Sequence, residues 1–141
     1  MVDGSGYGKL AVRPDDAAYL THVEFGTPMG ELMRRYWQPI TLSRELTDLP
    51  QAIRILGEDL VVFRDGNGRT GLVDRHCCHR GTSLEYGKIQ AEGIRCCFHG
   101  WLFDAQARCR QQPAAPPNSK PQSPVATHWQ ATQQRGGAGF A

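Results

Sequence analysis

Residues 76–81, His76-Cys77-Cys78-His79-Arg80-Gly81, and residues 96–101, Cys96-Cys97-Phe98-His99-Gly100-Trp101, hold four of the chain's five cysteines and three of its five histidines. Sixteen residues, Arg80 to Arg95, separate the two groups of ligand-type side chains. Two short Cys/His loops at such a separation read as a metal site built from two facing turns, because thiolates and imidazoles are the donors that zinc and iron–sulfur irons accept. The remainder of the chain reads as scaffold for these loops. His76 reads as a loop or packing residue. Cys109 and His128 stand alone and read as structural or incidental.

Composition narrows the setting. A chain of 141 residues is long enough for one domain with tails. Sixteen glycines and nine prolines suit a loop-rich β fold better than a helical bundle. A net charge of +2 gives neither a nucleic-acid footprint nor an anionic-membrane surface, so no nucleic acid and no membrane is expected as partner. No apolar run approaches the roughly 18 residues of a membrane span. Residues 1–9 are Gly-rich and lack the apolar core of a signal peptide. A cytoplasmic location is expected, where thiols stay reduced and clustered cysteines serve metals rather than disulfides.

Working outward, residues 1–18 read as a flexible tail and 19–36 as a helical lead-in. Thr27-Pro28 is a helix start, with a hydroxyl at the N-cap and proline where its missing N–H costs nothing. Met29, Leu32, Met33 and Tyr36 follow at helical spacing, as a face that packs on the domain. Arg34-Arg35 reads as a solvated face. From Trp37 the period shortens: Pro39–Ser43, Ala52–Leu56, Leu60–Arg64 and Gly71–Asp74 read as strands. Gly57-Glu58-Asp59 joins the second to the third. Asp65-Gly66-Asn67-Gly68 supplies positive-φ residues for a hairpin. Ile94–Cys96 and Trp101–Phe103 would be strands flanking the second loop, with a turn over Asp104–Ala107. Prolines punctuate a loop over 111–124, one more edge strand fits within Val125–Gln134, and the glycines of 136–139 are weak strand material. The expected fold is mainly β: a small antiparallel β-sandwich or barrel with two cluster-binding loops and a short N-terminal helix.

Cys77-x-His79 and Cys96-x-x-His99 offer two thiolates and two imidazoles. Structural zinc accepts such a set tetrahedrally, although zinc modules pair Cys with Cys and His with His at wider spacings. The arrangement fits a Rieske [2Fe–2S] centre better, where two histidines replace two cysteines on one iron. Neutral imidazoles lower the negative charge of the cluster and make an added electron easier to accept.

Both boxes resemble those of the Rieske non-haem iron oxygenases. The lead-in Gly26-Thr27-Pro28-Met29-Gly30-Glu31-Leu32-Met33-Arg34-Arg35-Tyr36-Trp37 and the run Leu56-Gly57-Glu58-Asp59-Leu60-Val61-Val62-Phe63-Arg64-Asp65 are similar to large (alpha) subunits of the phthalate dioxygenase-like branch of ring-hydroxylating oxygenases. The resemblance spans about residues 19–117, and Arg135-Gly136-Gly137 fits the last strand of the domain. It implies a Rieske domain over 37–141. Cys77 and Cys96 would ligate the inner iron, and His79 and His99 the outer iron that takes the electron. Arg80 and Gly81 would shape the first loop, Gly81 through close backbone approach, as Gly100 would in the second. Trp101 would cover the cluster from solvent.

Two departures from the family pattern stand out. Cys78 and Cys97 occupy positions where the family often has proline or a small residue. Cys97-x-His99 would mirror Cys77-x-His79, but adjacent cysteines cannot both point into one site, and the family pattern favours Cys96. Cys78 and Cys97 then read as unligated thiols packed beneath the loops. Ala107 stands where the family commonly has glycine, so that hairpin should be slightly strained.

An oxygenase of this family also needs a mononuclear iron held by two histidines and a carboxylate. After His99 only His128 remains, so the catalytic domain is expected to be absent, and with it any catalytic residue and the mononuclear Fe(II). The chain is expected to be an oxidoreductase module that relays electrons from a reductase or ferredoxin donor to catalytic iron outside it, within a mono- or dioxygenase; a neighbouring subunit of a homo-oligomer is one place for that iron. An autonomous Rieske ferredoxin and a truncated remnant without cluster are the alternatives. Absence of a respiratory-type disulfide pattern, and Trp101 in place of a serine, point to the low end of the Rieske potential range.

Overall fold

In the computed structural model the described residues are 14–116, 132–133 and 138–140. His128 and most of the Pro-rich loop lie outside them. Helices α1 (Pro14–Thr21) and α2 (Pro28–Met33) precede ten strands among the described residues: β1 (Pro39–Leu42), β2 (Gln51–Ile55), β3 (Glu58–Arg64), β4 (Thr70–Asp74), β5 (Lys88–Gln90), β6 (Gly93–Arg95), β7 (Leu102–Phe103), β8 (Cys109–Gln111), β9 (Thr132–Gln133) and β10 (Ala138–Phe140). They form three antiparallel sheets, ordered β1-β10-β9, β2-β3-β4 and β5-β6-β7-β8.

Strand β3 decides the layering. Its run Leu60-Val61-Val62-Phe63 is buried throughout, rather than alternately as in a sheet with one wet face. Leu60 and Val62 join Leu46 and Leu72, with Ile40 of β1 and Ile53 of β2 packed alongside. Val61 and Phe63 point the other way, into a core with Ile94, Phe103, Cys77, Cys96 and Trp101. The β2-β3-β4 sheet is therefore covered on both faces, and its second face packs directly on both Cys/His loops. The mainly β sandwich expected from the sequence is the observed class.

Several turns differ from their sequence reading. Ile55 pairs with Glu58, so the β2–β3 turn is Leu56-Gly57 alone, and both residues have positive φ (46° and 83°). That is the two-residue primed turn whose twist matches a hairpin, here with leucine where glycine or asparagine is favoured. In the next hairpin only Gly68 has positive φ (81°); Asp65 organises the loop by accepting from the N–H groups of Asn67 and Arg69. The turn over Asp104–Ala107 repeats this device. Asp104 accepts from the N–H groups of Gln106 and Arg108, and Ala107 takes the position of Gly68 with φ 60°. The strain expected at Ala107 is present.

The lead-in also departs from expectation. Residues 14–18, read as tail, belong to α1. Thr27 caps α2 by accepting from Gly30 N, with Pro28 at the first position, as the sequence predicts. The apolar stripe, however, does not pack as a unit: Leu32 and Tyr36 are exposed. The helix is fastened instead by Arg34, read as solvated, whose side chain is only 10% exposed. Arg34 donates to Val23 O (3.1 Å), to Leu56 O (2.9 Å) and to Glu58 Oε1 (2.6 Å), fixing the lead-in to the β2–β3 turn. Among the described residues no helix is long and apolar enough to cross a membrane.

Candidate metal centre

The two loops follow β4 and β6, and their backbones are hydrogen-bonded in the same way. In the first, Cys77 N donates to Thr82 O (2.9 Å) and Gly81 N to Cys77 O (2.8 Å). In the second, Cys96 N donates to Trp101 O (2.8 Å) and Gly100 N to Cys96 O (3.1 Å). Each loop is thus closed from its cysteine to the residues four and five places on. This superposes Cys77 on Cys96, not on Cys97, and Gly81 on Gly100. His79 then stands two residues after its cysteine and His99 three.

Burial separates the same residues. Cys77 and Cys96 are each 3% exposed, within hydrogen-bond reach of one another, while Cys78 and Cys97 are exposed. The expectation that Cys78 and Cys97 pack beneath the loops is corrected: successive side chains diverge, and the buried place is taken by the first cysteine of each pair. Although Cys78 is an exposed residue, desolvation and then the neighbouring Cys109 push its thiol up. Burial pushes the Cys77 thiol up to about 11, with Cys96 adding to the rise and a His79 backbone contact opposing it. A buried thiol of this kind becomes a thiolate when a metal displaces its proton.

The imidazoles form a second pair. The rings of His79 and His99 lie 4.4 Å apart, edge to face. Desolvation, then His99 and Arg80, holds His79 below the usual imidazole range, so the ring is neutral and able to act as a ligand. Among the described residues its buried Nδ1 has no hydrogen-bond partner, a cost that a bound metal would remove. Among the described residues no three His, Cys, Asp or Glu side chains converge on one point. A four-ligand zinc site needs such convergence, whereas a two-iron cluster needs two pairs. The residues present therefore fit a [2Fe–2S] group better than a mononuclear zinc.

The surrounding residues are placed less as expected. Trp101 is itself buried and stacks on His79 at 4.7 Å between ring centroids. It backs that ring from the core side; the exposed aromatic here is Phe98, 3.9 Å from His99. Gly81 and Gly100 have φ of 69° and 72°, and among the described residues no atom lies within 3 Å of a Cβ added at either. Left-handed backbone, not close approach of protein, demands glycine at both. Arg80 is exposed beside His79. His76 is outside the pair, its N–H donating to Asp74. Cys109 is buried in the core.

Sequence reasoning missed two arginines. Arg75, two residues before Cys77, reaches across the first loop to Ser83 Oγ (3.3 Å) and Glu85 Oε1 (2.7 Å). Arg95, directly before Cys96, donates to Gln90 Oε1 (2.9 Å), Gly100 O (2.5 Å) and Gln111 Oε1 (2.7 Å). The only sequence signal was an arginine leading into each box; its partners lie on β5, β8 and the far ends of the loops.

A family model for the Rieske [2Fe-2S] domain matches residues 36–129. The phenoxybenzoate dioxygenase subunit alpha of Ectopseudomonas oleovorans is 49% identical over 98% of this chain and 33% of its own length. The tert-butanol monooxygenase / tert-amyl alcohol desaturase oxygenase subunit of Aquincola tertiaricarbonis is 55% identical over 98% of this chain and 30% of its own. The solved structure of Pseudomonas putida CBB5 NdmA superposes with TM-score 0.67 at 26% identity, over 78% of this chain and 35% of that one. The chain spans about a third of the length of the curated relatives it matches.

Proposed function

This chain belongs to the Rieske [2Fe–2S] domain family, and from that premise we propose that it is the electron-relay domain of a ring-hydroxylating, Rieske non-haem iron oxygenase. A bound [2Fe–2S] cluster would supply one-electron uptake and release. The observation that carries the assignment of its ligands is the pair of identically bonded loops, which bring together buried Cys77 and Cys96, and His79 and His99 with an unpartnered Nδ1. In this reading the two thiols hold one iron and the two imidazoles the other. Trp101 holds the His79 ring in place by stacking. Gly81 and Gly100 let each loop turn back on its cysteine carbonyl, while desolvation, then His99 and Arg80, keeps His79 below the usual imidazole range.

The lead-in and the length of the relatives support the wider reading. Residues 14–36 form the helical lead-in, and the cluster domain follows from residue 37. Relatives about three times as long are named oxygenase subunits. The electron donor is a reductase or ferredoxin, the acceptor a mononuclear iron outside these residues, and the location cytoplasmic. Two measurements test this. Anaerobically purified protein should contain two irons and two labile sulfides and give a rhombic paramagnetic signal after reduction, with a midpoint toward the low end of about −150 to +300 mV. Coding DNA beyond codon 141 should continue in frame to a histidine pair and a carboxylate. A colourless protein sinks the cluster assignment; a coloured one with a clearly positive midpoint sinks the oxygenase assignment alone.

A further inference from the structure

We infer that Arg95 is a positioning residue that also raises the electron affinity of the site, whereas Arg75, its counterpart, only braces its loop. This rests on the Rieske reading of the two loops. Both arginines lead into a Cys/His box and both span the loop that follows. Their partners differ in charge. Arg75 donates to Glu85 Oε1 at 2.7 Å, and Ser83 Oγ donates to the same oxygen, so the positive charge of Arg75 is matched at its own fork. Arg95 has three acceptors, all neutral: the amide oxygens of Gln90 and Gln111 and the backbone oxygen of Gly100. Among the described residues it has no ion-pair partner within 4.0 Å. An unmatched cation beside Cys96 favours whichever state of the site is more negative, which is the reduced one.

The contact with Gly100 O sharpens the effect. Gly100 closes the second loop through its N–H on Cys96 O, which fixes the His99–Gly100 peptide, and the guanidinium holds the Gly100 carbonyl, which fixes the next peptide, between Gly100 and Trp101, at its oxygen. That peptide is trans, so the Trp101 N–H stands opposite the carbonyl, on the side away from Arg95. A charge-assisted bond at 2.5 Å polarises the amide and makes its N–H a stronger donor. A stronger donor within the loop that carries Cys96 and His99 favours the more negative, reduced state of the site. The first loop has no equivalent: Arg75 engages Ser83 and Glu85 side chains, not the carbonyl of Gly81.

The test is mediated spectroelectrochemistry of the full chain carrying its cluster. One electron passes from the electrode to the site, with no bond made or broken. Arg95→Met should weaken electron uptake by about tenfold, which is ~59 mV lower in midpoint. Arg95→Lys, keeping the charge but not the three-way fork, should fall between. The double change Arg75→Met with Glu85→Gln, which removes both charges of the matched fork, should stay within about twofold of the unaltered protein, or ~18 mV. Equal midpoints for Arg95→Met and the unaltered chain overturn the inference. Should Arg95→Met fail to fold or to hold a cluster, Arg95→Lys decides: a midpoint at or above that of the unaltered chain overturns it. Absence of any cluster spectrum in the unaltered chain would instead sink the Rieske reading, and this inference with it.

Discussion

Replacing three glycines by alanine separates the two reasons a chain uses glycine near its functional loops. Gly81 and Gly100 have left-handed φ values; among the described residues no atom lies within 4 Å of an added Cβ at 81, and Pro113 Cγ (3.4 Å) and Arg95 Nη1 (3.9 Å) are the nearest at 100. Left-handed backbone costs an L-residue about 1–2 kcal/mol. Alanine recovers about 0.5–1 kcal/mol of that, because it restricts the unfolded chain. Each substitution should therefore cost about 0.5–1 kcal/mol. Gly93 is different: its φ is 148°, and an added Cβ would stand inside the backbone oxygen of Phe103 on the neighbouring strand. Relief requires β6 to move off β7, so Gly93→Ala should cost about 3 kcal/mol or more. Urea denaturation of the three variants, cluster removed, measures the difference. A Gly81→Ala loss as large as that of Gly93→Ala would contradict this, because a crowded first loop would then be the true constraint.

Other outcomes follow from the paired aspartate turns and from Arg75. Ala107→Gly should change stability by less than about 0.5 kcal/mol: relief of strain is cancelled by unfolded-chain freedom and by loss of a buried methyl, worth about 0.8 kcal/mol. Gly68→Ala, at the equivalent place with open space around it, should cost about 0.5–1 kcal/mol, and denaturation midpoints compare the two. Asp104→Ala strands the N–H groups of Gln106 and Arg108 and should cost about 2–3 kcal/mol; Asp104→Asn keeps an acceptor for both and should cost about 1 kcal/mol or less, because Arg108 is 61% exposed. The hydrogen bond from Arg75 holds Glu85 below its ordinary value of 4.5, so the stability this pair contributes is full above pH 4.5 and fades as pH falls through the lower, folded-state value. A stability–pH curve should lose that acid limb in Arg75→Met; a limb that persists unchanged would assign it to another carboxylate.

The parts of the molecule legible in the sequence are those in which a residue's identity is dictated within a few positions. Thr27-Pro28 caps α2 by local chemistry alone. Ala107 in the place of glycine announces its positive φ. The clustering of cysteines and histidines at 76–79 and 96–99 identifies two facing Cys/His loops. Strands β5 and β8, three residues each, are too short to display a period, and their existence depends on pairing with β6 and β7. Nothing local shows which of two adjacent cysteines turns inward; the closing hydrogen bonds from Gly81 and Gly100 decide it. Arg34, Arg75 and Arg95 were equally opaque, because their acceptors are loop carbonyls and side chains brought near only by the fold. The lead-in stripe misled for a related reason: helical spacing of Leu32 and Tyr36 reports an amphipathic face, not what covers it.

Cys96, rather than Cys97, shares the buried core with Cys77. Iron and sulfide content with the visible spectrum of Cys96→Ser and Cys97→Ser, purified side by side, tests this most directly. Cys96→Ser should lose the cluster spectrum and its metal, while Cys97→Ser retains both. A Cys97→Ser protein that comes out colourless, beside a Cys96→Ser protein that keeps its colour, would contradict it.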